Sequence, residues 1–352
     1  MAFEQDTLDE TGLIYSNDSH PGISRKSAGK KFHFLNSKGE AVQDPKILSR
    51  LRKLVIPPAW TNVWIAGKPN AHLQATGTDI AGRKQYLYHS DWAEHRNENK
   101  YFRLLEFGNK LPDIRKNIRK DLRRKELDER KVLAISVNMM QKTLIRIGSE
   151  SYKNLYGSYG LTTLKDKHVQ IDGSKIHLSF KGKKGVYHEI NFSDRSLAKL
   201  VKKCRDIPGQ ELFQYYTPGG ERRSIDSGKV NNYIREICKG DFTAKDFRTW
   251  AGTLLFMKYL AETENFNNLT SEKKNIVSVL DRVAAKLGNT RAICKKSYVF
   301  PAILEEYESG ALNPYLRKLN RSPGLASEKG LSHDEKVLLS FLRAQRKKKK
   351  NL

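Results

Sequence analysis

The chain has 352 residues, enough for two domains at about 150 residues each, and its 65 Lys and Arg against 39 Asp and Glu give a formal net charge of +26. A mean hydropathy of −0.65 and the lack of any run of about 18 apolar residues exclude an integral membrane protein. Residues 1–12 hold four acidic and no basic side chains, the reverse of a secretory leader, so we expect a cytoplasmic protein.

The cysteines are scattered, as Cys204, Cys238 and Cys294, without a CxxC or a Cys/His cluster. This spacing predicts reduced thiols and neither a disulfide framework nor a zinc site. No clustered acidic motif and no GxxxxGK[ST] loop occurs either. We therefore expect no bound metal and no nucleotide cofactor.

The positive charge indicates a polyanionic partner, which could be nucleic acid, anionic lipid or an acidic protein. Basic residues recur in every segment from Arg25 to Lys350 rather than on one amphipathic face. That distribution favours a long polymer over a lipid surface. Binding is then expected to weaken steeply with salt, because each neutralised phosphate releases counterions.

The first part of the chain has the pattern of a small β-rich domain. Residues 31–35 and 84–89 are predicted strands. Between them, Asp44 and Pro45 have the pattern of a helix start, and Pro57-Pro58 ends the predicted helix. Its apolar stripe consists of Ile47, Leu48, Leu51 and Val55. We assign residues 1–95 to this β-rich N-terminal domain, which is a DNA-binding domain if the polyanion is DNA.

Helical spacing dominates from residue 101, with one β-rich interruption. Residues 167–171, 175–180 and 186–192 are predicted strands, separated by the tight turn Asp172-Gly173 and by a glycine-flanked lysine turn at 181–185. Helices are predicted again at 245–260 and 275–287. The sequence thus predicts an α+β fold, with a mainly helical domain over 96–315 that contains a three-stranded sheet.

Residues 316–352 are predicted to form a C-terminal extension. A capping box from Ser332 to Glu335 opens a last helix. Residues 343–350 are largely basic, and we expect them to form a frayed, non-specific tail.

Metal-free cleavage of a phosphodiester requires an in-line nucleophile, cations around the non-bridging oxygens and an acid for the leaving oxygen. The candidate cations are Arg146, Lys183 on its glycine-flanked turn, and Arg248 near a helix start. The candidate nucleophile is Tyr298, nine residues after Asn289. Each one alone is better explained by an ordinary structural role: a surface ion pair, a solvated turn lysine, a packed tyrosine or a helix C-terminal asparagine.

Taken together and in order, however, these segments resemble the catalytic motifs of type IB DNA topoisomerases, most closely the small bacterial and poxvirus enzymes. The similarity extends over about residues 20–312, including an N-terminal part that looks like that family's major-groove-facing domain. The segments are 56–60 (IPPAW), 76–89 (TGTDIAGRKQYLYH), 146–148 (RIG), 159–168 (YGLTTLKDKH), 180–183 (FKGK), 245–249 (KDFRT), 287–290 (LGNT) and 297–298 (SY).

The resemblance implies a role for each candidate. Tyr298 would attack phosphorus, form a 3′-phosphotyrosyl intermediate and release a 5′-hydroxyl. Arg146 and Arg248 would hold the non-bridging oxygens, since a planar guanidinium matches phosphate geometry. Lys183 would protonate the leaving oxygen. Asn289 stands where the family more commonly has histidine, and an amide donates a hydrogen bond but does not titrate.

The resemblance also implies the partner and the overall arrangement. Two domains would close around double-stranded DNA as a clamp, a fold shared with tyrosine recombinases, and a monomer would suffice. Relaxation would need neither ATP nor metal, and the enzyme would be associated with the nucleoid in the cytoplasm. The expected DNA-binding residues are Arg83, Gln85, Tyr86, Tyr88 and Tyr152.

Two other functions remain open at this point. A tyrosine recombinase uses the same Arg, Lys, Arg and Tyr chemistry, but it typically carries His-x-x-Arg where this chain has Lys245-x-x-Arg248. A non-enzymatic architectural DNA-binding protein would account for the charge and leave the ordered motifs unexplained.

Overall fold

The computed structural model describes residue 8 and residues 12–28, 31–80, 82, 84–263, 269–321 and 330–350. The chain divides into two compact units, Met1–Tyr101 and Phe102–Leu352. The division falls inside one long helix rather than in a linker. No helix among the described residues is long and apolar enough to cross a membrane.

The N-terminal unit is built on a five-stranded antiparallel sheet in the order β2-β1-β3-β4-β5. Its strands are β1 (Gly22–Ala28), β2 (Lys31–Leu35), β3 (Thr61–Ala66), β4 (Leu73–Thr78) and β5 (Lys84–Tyr88). The predictions at 31–35 and 84–89 correspond to β2 and β5. The other three strands were not predicted.

Helix α1 (Pro45–Lys53) begins as its sequence predicts, with the Asp44 side chain accepting a hydrogen bond from Lys46 N at 2.7 Å. Its predicted apolar stripe is wrong in extent. Leu51 is 2% exposed, but Ile47 is 37% and Val55 is 81% exposed. The reason is geometric: the helix stops at Lys53, and Val55 has a left-handed φ of 47° that takes it off the helical stripe.

The second unit is mainly helical, and the predicted α+β class is confirmed. Helix α2 (Ser90–Leu122) crosses the division between the units and is followed by further helices. These are α3 (Glu129–Thr143), α4 (Glu150–Tyr156), α5 (Arg195–Arg205), α6 (Ser227–Cys238), α7 (Ala244–Ala261), α8 (Leu269–Leu287), α9 (Arg291–Ser297), α10 (Pro301–Glu308), α11 (Asn313–Arg321) and α12 (His333–Lys350).

The predicted three-stranded sheet is present as an antiparallel meander in the order β6-β7-β8. Its strands are β6 (Val169–Asp172), β7 (Lys175–Lys181) and β8 (Tyr187–Ser193). Ile176, Leu178 and Phe180 alternate into the core as their period of two predicts. A second, unpredicted ribbon pairs β9 (Gln214–Tyr216) with β10 (Arg222–Ser224).

The expectation of a frayed C-terminal tail is wrong for the described residues, because α12 continues to Lys350. Leu338, Phe341 and Leu342 are buried in the main core of the second unit. They recur at helical spacing, so the part of α12 before residue 343 has an apolar face, and the basic residues continue the same helix. Farther along, Lys348 pairs with Glu306 at 2.9 Å.

A buried carboxylate also attaches α12. Glu335 is 5% exposed and accepts two hydrogen bonds from the Arg115 guanidinium, at 2.7 and 2.8 Å. Its Oε1 also lies 3.3 Å from the indole Nε1 of Trp250 on α7. Bidentate pairing of this kind is among the stronger polar contacts in proteins. Helix α12 is therefore tied to both α2 and α7.

Candidate active site

Arg248 lies in the second turn of α7, whose first turn is fixed by a reciprocal contact between Thr243 and Asp246. The arginine is 4% exposed. Its Nη2 donates to the carbonyl of Leu287 at 2.9 Å, and its Nη1 donates to the carbonyl of Leu144. Its Nε is buried and has no hydrogen-bond partner in the described part of the chain.

Both carbonyls belong to helix ends. Leu144 is the C-cap of α3, with a left-handed φ of 56°, and Leu287 is the last residue of α8. The last carbonyls of a helix have no partner within the helix and need a donor from elsewhere. Arg248 supplies one to each helix. Arg146 follows Leu144 by two positions, and Asn289 follows Leu287 by two positions. The Arg248 guanidinium therefore fixes both segments that carry these site residues.

Arg146 closes the same cluster from the other side. Its Nη2 donates to the carbonyl of Gly288 at 2.8 Å and to Oδ1 of Asn289. Burial lowers the pKa of Arg146, and the positive charge of Arg248 lowers it further. Two guanidinium groups that repel each other in a partly dry setting are stabilised by an anion between them.

The amide of Asn289 is oriented by this contact. Because Oδ1 accepts from Arg146, the Nδ2 group points elsewhere. It is buried and has no partner of ordinary hydrogen-bond geometry among the described residues, although it lies near enough to the Cys294 thiol to favour that thiol's ionised form. Burial outweighs this effect and raises the pKa of Cys294. A buried donor left unpaired costs about 1–3 kcal/mol, so this amide is set up to bind an acceptor.

Tyr298 is the C-cap residue of the short helix α9, and its N–H donates to the carbonyl of Cys294 at 2.9 Å. The Arg248 Cζ lies 5.2 Å from the centroid of its ring. Thr253 Oγ1 donates to the Tyr298 carbonyl at 3.0 Å. The tyrosine is therefore fixed by the same helix, α7, that carries Arg248.

Gly252 on α7 makes this close approach feasible. A Cβ atom at position 252 would lie 2.9 Å from the Tyr298 carbonyl oxygen and 3.0 Å from the Tyr298 Cβ. Sequence reasoning did not select Gly252 or Thr253. The available signal was a glycine inside a helix, a position where it costs stability unless close packing requires it.

Lys183 is not joined to these four residues by any hydrogen bond or ion pair among the described residues. It is exposed on the 3₁₀ turn Lys183–Gly185, and its Nζ lies 5.0 Å from the ring centroid of Tyr152. The next residue, Lys184, has a left-handed φ of 62°. The predicted turn is thus present, with its lysine over an aromatic ring of α4.

Backbone hydrogen bonds nevertheless connect the Lys183 hairpin to Arg146. Tyr159 N donates to the Lys181 carbonyl at 2.8 Å, and Leu161 N donates to the Arg146 carbonyl at 2.8 Å. Gly148 and Gly160 also approach closely, because a Cβ at Gly160 would lie 2.6 Å from the Gly148 backbone. The segment 159–161 therefore joins the hairpin to the arginine cluster.

The expected DNA-binding residues belong to both units. Arg83 lies outside the described residues. Gln85 Nε2 donates to Asp79 at 2.9 Å, and Tyr86, 50% exposed, has its ring centroid 6.3 Å from that of Tyr88. Tyr152 belongs to the second unit and packs beside Tyr156 at 5.7 Å.

The chain is similar to known proteins over most of its length. A family model described as "Eukaryotic DNA topoisomerase I, catalytic core" matches residues 89–321, and one described as "Bacterial DNA topoisomerase IB, N-terminal domain" matches residues 31–79. The chain is 35% identical over 297 residues to the DNA topoisomerase 1B of Acanthamoeba polyphaga mimivirus, covering 82% of this chain and 88% of that protein. It is 28% identical over 269 residues to the DNA topoisomerase 1B of Vaccinia virus (strain Copenhagen), covering 76% and 81%.

A tyrosine beside two buried or half-buried arginines is an arrangement suited to phosphoryl transfer. Together with the matches over both units, it makes the class definite. The chain belongs to the type IB DNA topoisomerases, and it is an isomerase that acts on DNA.

Proposed function

We propose that this enzyme relaxes supercoiled DNA without ATP or a metal ion, through transient cleavage of one strand and a 3′-phosphotyrosyl intermediate. One observation carries the proposal. The Arg248 guanidinium is buried, donates to two helix-end carbonyls and lies 5.2 Å from the centroid of the Tyr298 ring. A fixed cation beside a phenol is what metal-free attack on a phosphodiester requires.

In the proposed cleavage step, the Tyr298 hydroxyl loses its proton to solvent and its oxygen bonds to phosphorus. The bond from phosphorus to the 5′-oxygen breaks, and that oxygen takes a proton from Lys183. The positive charges of Arg146 and Arg248 stabilise the negative charge that the phenol oxygen carries as it attacks. The released strand end then rotates. In religation the 5′-hydroxyl returns its proton to Lys183 and its oxygen bonds to phosphorus, while the bond from phosphorus to Tyr298 breaks and the phenol oxygen takes a proton from solvent.

The charge that develops on the phosphate is stabilised by the groups already fixed in the cluster. Arg146 and Arg248 face the non-bridging oxygens with planar donors, and the unpaired Nδ2 of Asn289 donates to one of them. Asn289 does not titrate, so it acts only as a donor. Because the phosphotyrosyl bond keeps the energy of the phosphodiester, religation needs no nucleotide.

The DNA contacts are proposed on the same basis. Gln85, Tyr86 and Tyr88 in the N-terminal unit and Tyr152 in the second would contact duplex DNA, with Arg83 beside them in sequence. We propose a monomer that closes as a clamp and works at the nucleoid. The net charge of +26 supports strong, salt-sensitive binding to phosphates.

The test is relaxation of a supercoiled plasmid in EDTA without ATP. Stepwise loss of supercoils, with a protein–DNA adduct trapped by SDS, is the expected result. Relaxation only with added Mg²⁺ or ATP would contradict the proposal. Recombination between paired sites would indicate a recombinase, and a mobility shift alone would indicate an architectural protein.

A further inference from the structure

A histidine that sequence reasoning did not select lies at the junction of the two parts of the site. His188 is on β8, directly opposite Phe180 on β7, and the two rings stack with centroids 5.0 Å apart and planes 14° from parallel. Phe180 is 3% exposed. His188 therefore projects from the same, core-facing side of the hairpin as Phe180.

Two glycines lie against this ring at positions where a side chain would clash with it. A Cβ at Gly182, next to Lys183, would lie 2.6 Å from both Cδ2 and Nε2 of His188. A Cβ at Gly288, next to Asn289, would overlap His188 Cε1. Contacts this short do not occur, so the ring fills the space between the lysine turn and the asparagine turn.

The ring is close enough to the arginines to respond to them. Burial lowers the pKa of His188, and the charges of Arg146 and then Arg248 lower it further. The imidazole is therefore neutral at neutral pH, where it adds no third positive charge beside the two guanidinium groups. Its contribution at the junction is its shape.

We propose that His188 is a positioning residue for the lysine, fixing the Lys183 turn at its distance from the Arg146, Arg248 and Asn289 cluster. This inference rests on the function proposed above. A proton donor misplaced by about 1 Å loses much of its effect. Lys183 itself is exposed, and its Nζ lies over the Tyr152 ring, with no hydrogen bond or ion pair from its side chain to another described residue, so its placement depends on the packing of the turn behind it.

The decisive variant is His188→Ala, which removes the ring from between the two glycines. We expect the single-turnover rate of adduct formation to fall about 10-fold to 100-fold at saturating DNA, with DNA affinity unchanged. A substrate whose 5′-bridging oxygen is replaced by sulfur needs no acid, and it should restore most of the rate. The matched control is His177→Ala on β7, whose ring lies on the opposite face and contacts Asn191 at 2.6 Å.

A role limited to general stability would give a different pattern. It would slow cleavage equally on the oxygen and the sulfur substrates, and either that result or a wild-type rate for His188→Ala would overturn the inference. The double variant with Lys183→Ala should be no slower than Lys183→Ala alone, because both changes remove the same step.

A readout independent of catalysis separates this inference from the proposed function. Gly182 N donates to the Val186 carbonyl at 2.7 Å, and Gly185 N donates to the Gly182 carbonyl at 3.1 Å. Both amides should exchange hydrogen faster in His188→Ala and not in His177→Ala. If the wild-type protein forms no adduct, the proposed function fails, and unchanged exchange would then refute the packing role as well.

A second variant serves if His188→Ala does not fold. Gly182 has a φ of −92°, which alanine adopts freely, so Gly182→Ala disturbs the same contact from the other side without backbone strain. It should show the same sulfur-rescued defect. A Gly182→Ala enzyme with wild-type cleavage would show that the contact does not position the turn.

Discussion

The arginines and the tyrosine are held by helix ends, whereas Lys183 sits on an exposed turn. Arg248 is 4% exposed and donates to the terminal carbonyls of two helices, and Arg146 donates to the turn that follows one of them. Lys183 has the Tyr152 ring beneath its Nζ and no polar partner for that group in the described part of the chain. Groups that stabilise the charge developing in the transition state must be in place beforehand, because moving them during the reaction would cost about as much free energy as they contribute. The Lys183 side chain is exposed, and we propose above that the packing of His188 holds the turn that carries it.

The largest effect is expected from removing the hydroxyl of the proposed nucleophile, Tyr298. Tyr298→Phe keeps the ring beneath Arg248 and deletes one oxygen, so DNA binding should be retained and no covalent adduct should form. Gel shift and SDS trapping measure the two properties. The matched control is Tyr259→Phe on the same helix as Arg248, which should react normally. An adduct trapped from Tyr298→Phe would show that another residue attacks.

Arg248→Lys should produce the next largest loss. An ammonium keeps the charge but does not span two carbonyls and a phosphate with a planar fork, so we expect cleavage to slow about 10²–10³-fold. The sulfur-leaving substrate should not rescue it, because the defect is in charge stabilisation. Arg282→Lys, on the surface of α8, is the control with no expected effect. Rescue of Arg248→Lys by sulfur would erase the distinction between the two regions.

Lys183→Ala should slow cleavage of ordinary DNA by about 10²-fold, the usual contribution of one general acid. Here the sulfur-leaving substrate should recover nearly the whole rate. Single-turnover kinetics on the two substrates makes the comparison. A defect that persists with sulfur would place Lys183 among the phosphate-binding groups instead.

Acid should lower the stability of the protein through His168, a buried histidine that directly precedes β6. His168 is 8% exposed, its Nδ1 accepts from Lys165 N at 3.0 Å, and its ring lies 4.4 Å from that of Tyr159. Burial, followed by the neighbouring lysines, lowers the pKa of His168 to about 4. Below about pH 6.5 the imidazole is protonated in the unfolded chain, but in the folded chain it stays neutral down to about pH 4. The free energy of unfolding therefore falls as the pH is lowered through that interval. At pH 5 the loss should be about 2 kcal/mol relative to pH 7.5.

Urea unfolding at the two pH values measures this loss. In His168→Gln, which keeps an acceptor but does not titrate, the difference between pH 7.5 and pH 5 should shrink by a similar amount. An unchanged difference would mean that other groups account for the acid sensitivity.

The sequence predicted what depends on local pattern. The alternation of Ile176, Leu178 and Phe180 and the glycine-flanked turn after them predicted the hairpin. Ordered motifs predicted the four clustered residues, and the family comparison confirmed the class. Asp44 likewise predicted the start of α1.

What the sequence did not reveal depends on distant partners. The residues around Gly252 do not indicate that Tyr298 packs against it. His188 likewise lies where it does because Gly288, a hundred residues later in the chain, packs against its ring. Val55 continues an apolar stripe in sequence, yet the helix ends before reaching it. The basic residues at the end of α12 led us to expect a frayed tail, yet they continue a helix that is held by the burial of Leu338 and Phe341.

That last helix limits how far the protein could be shortened. The family match ends at residue 321, but Glu335 beyond it neutralises Arg115 and contacts Trp250, two positions from Arg248. Trimming to the matched region would leave the Arg115 charge without its counterion and open the apolar surface on which α12 rests. A fragment intended to retain chemistry should therefore keep the chain at least through residue 350.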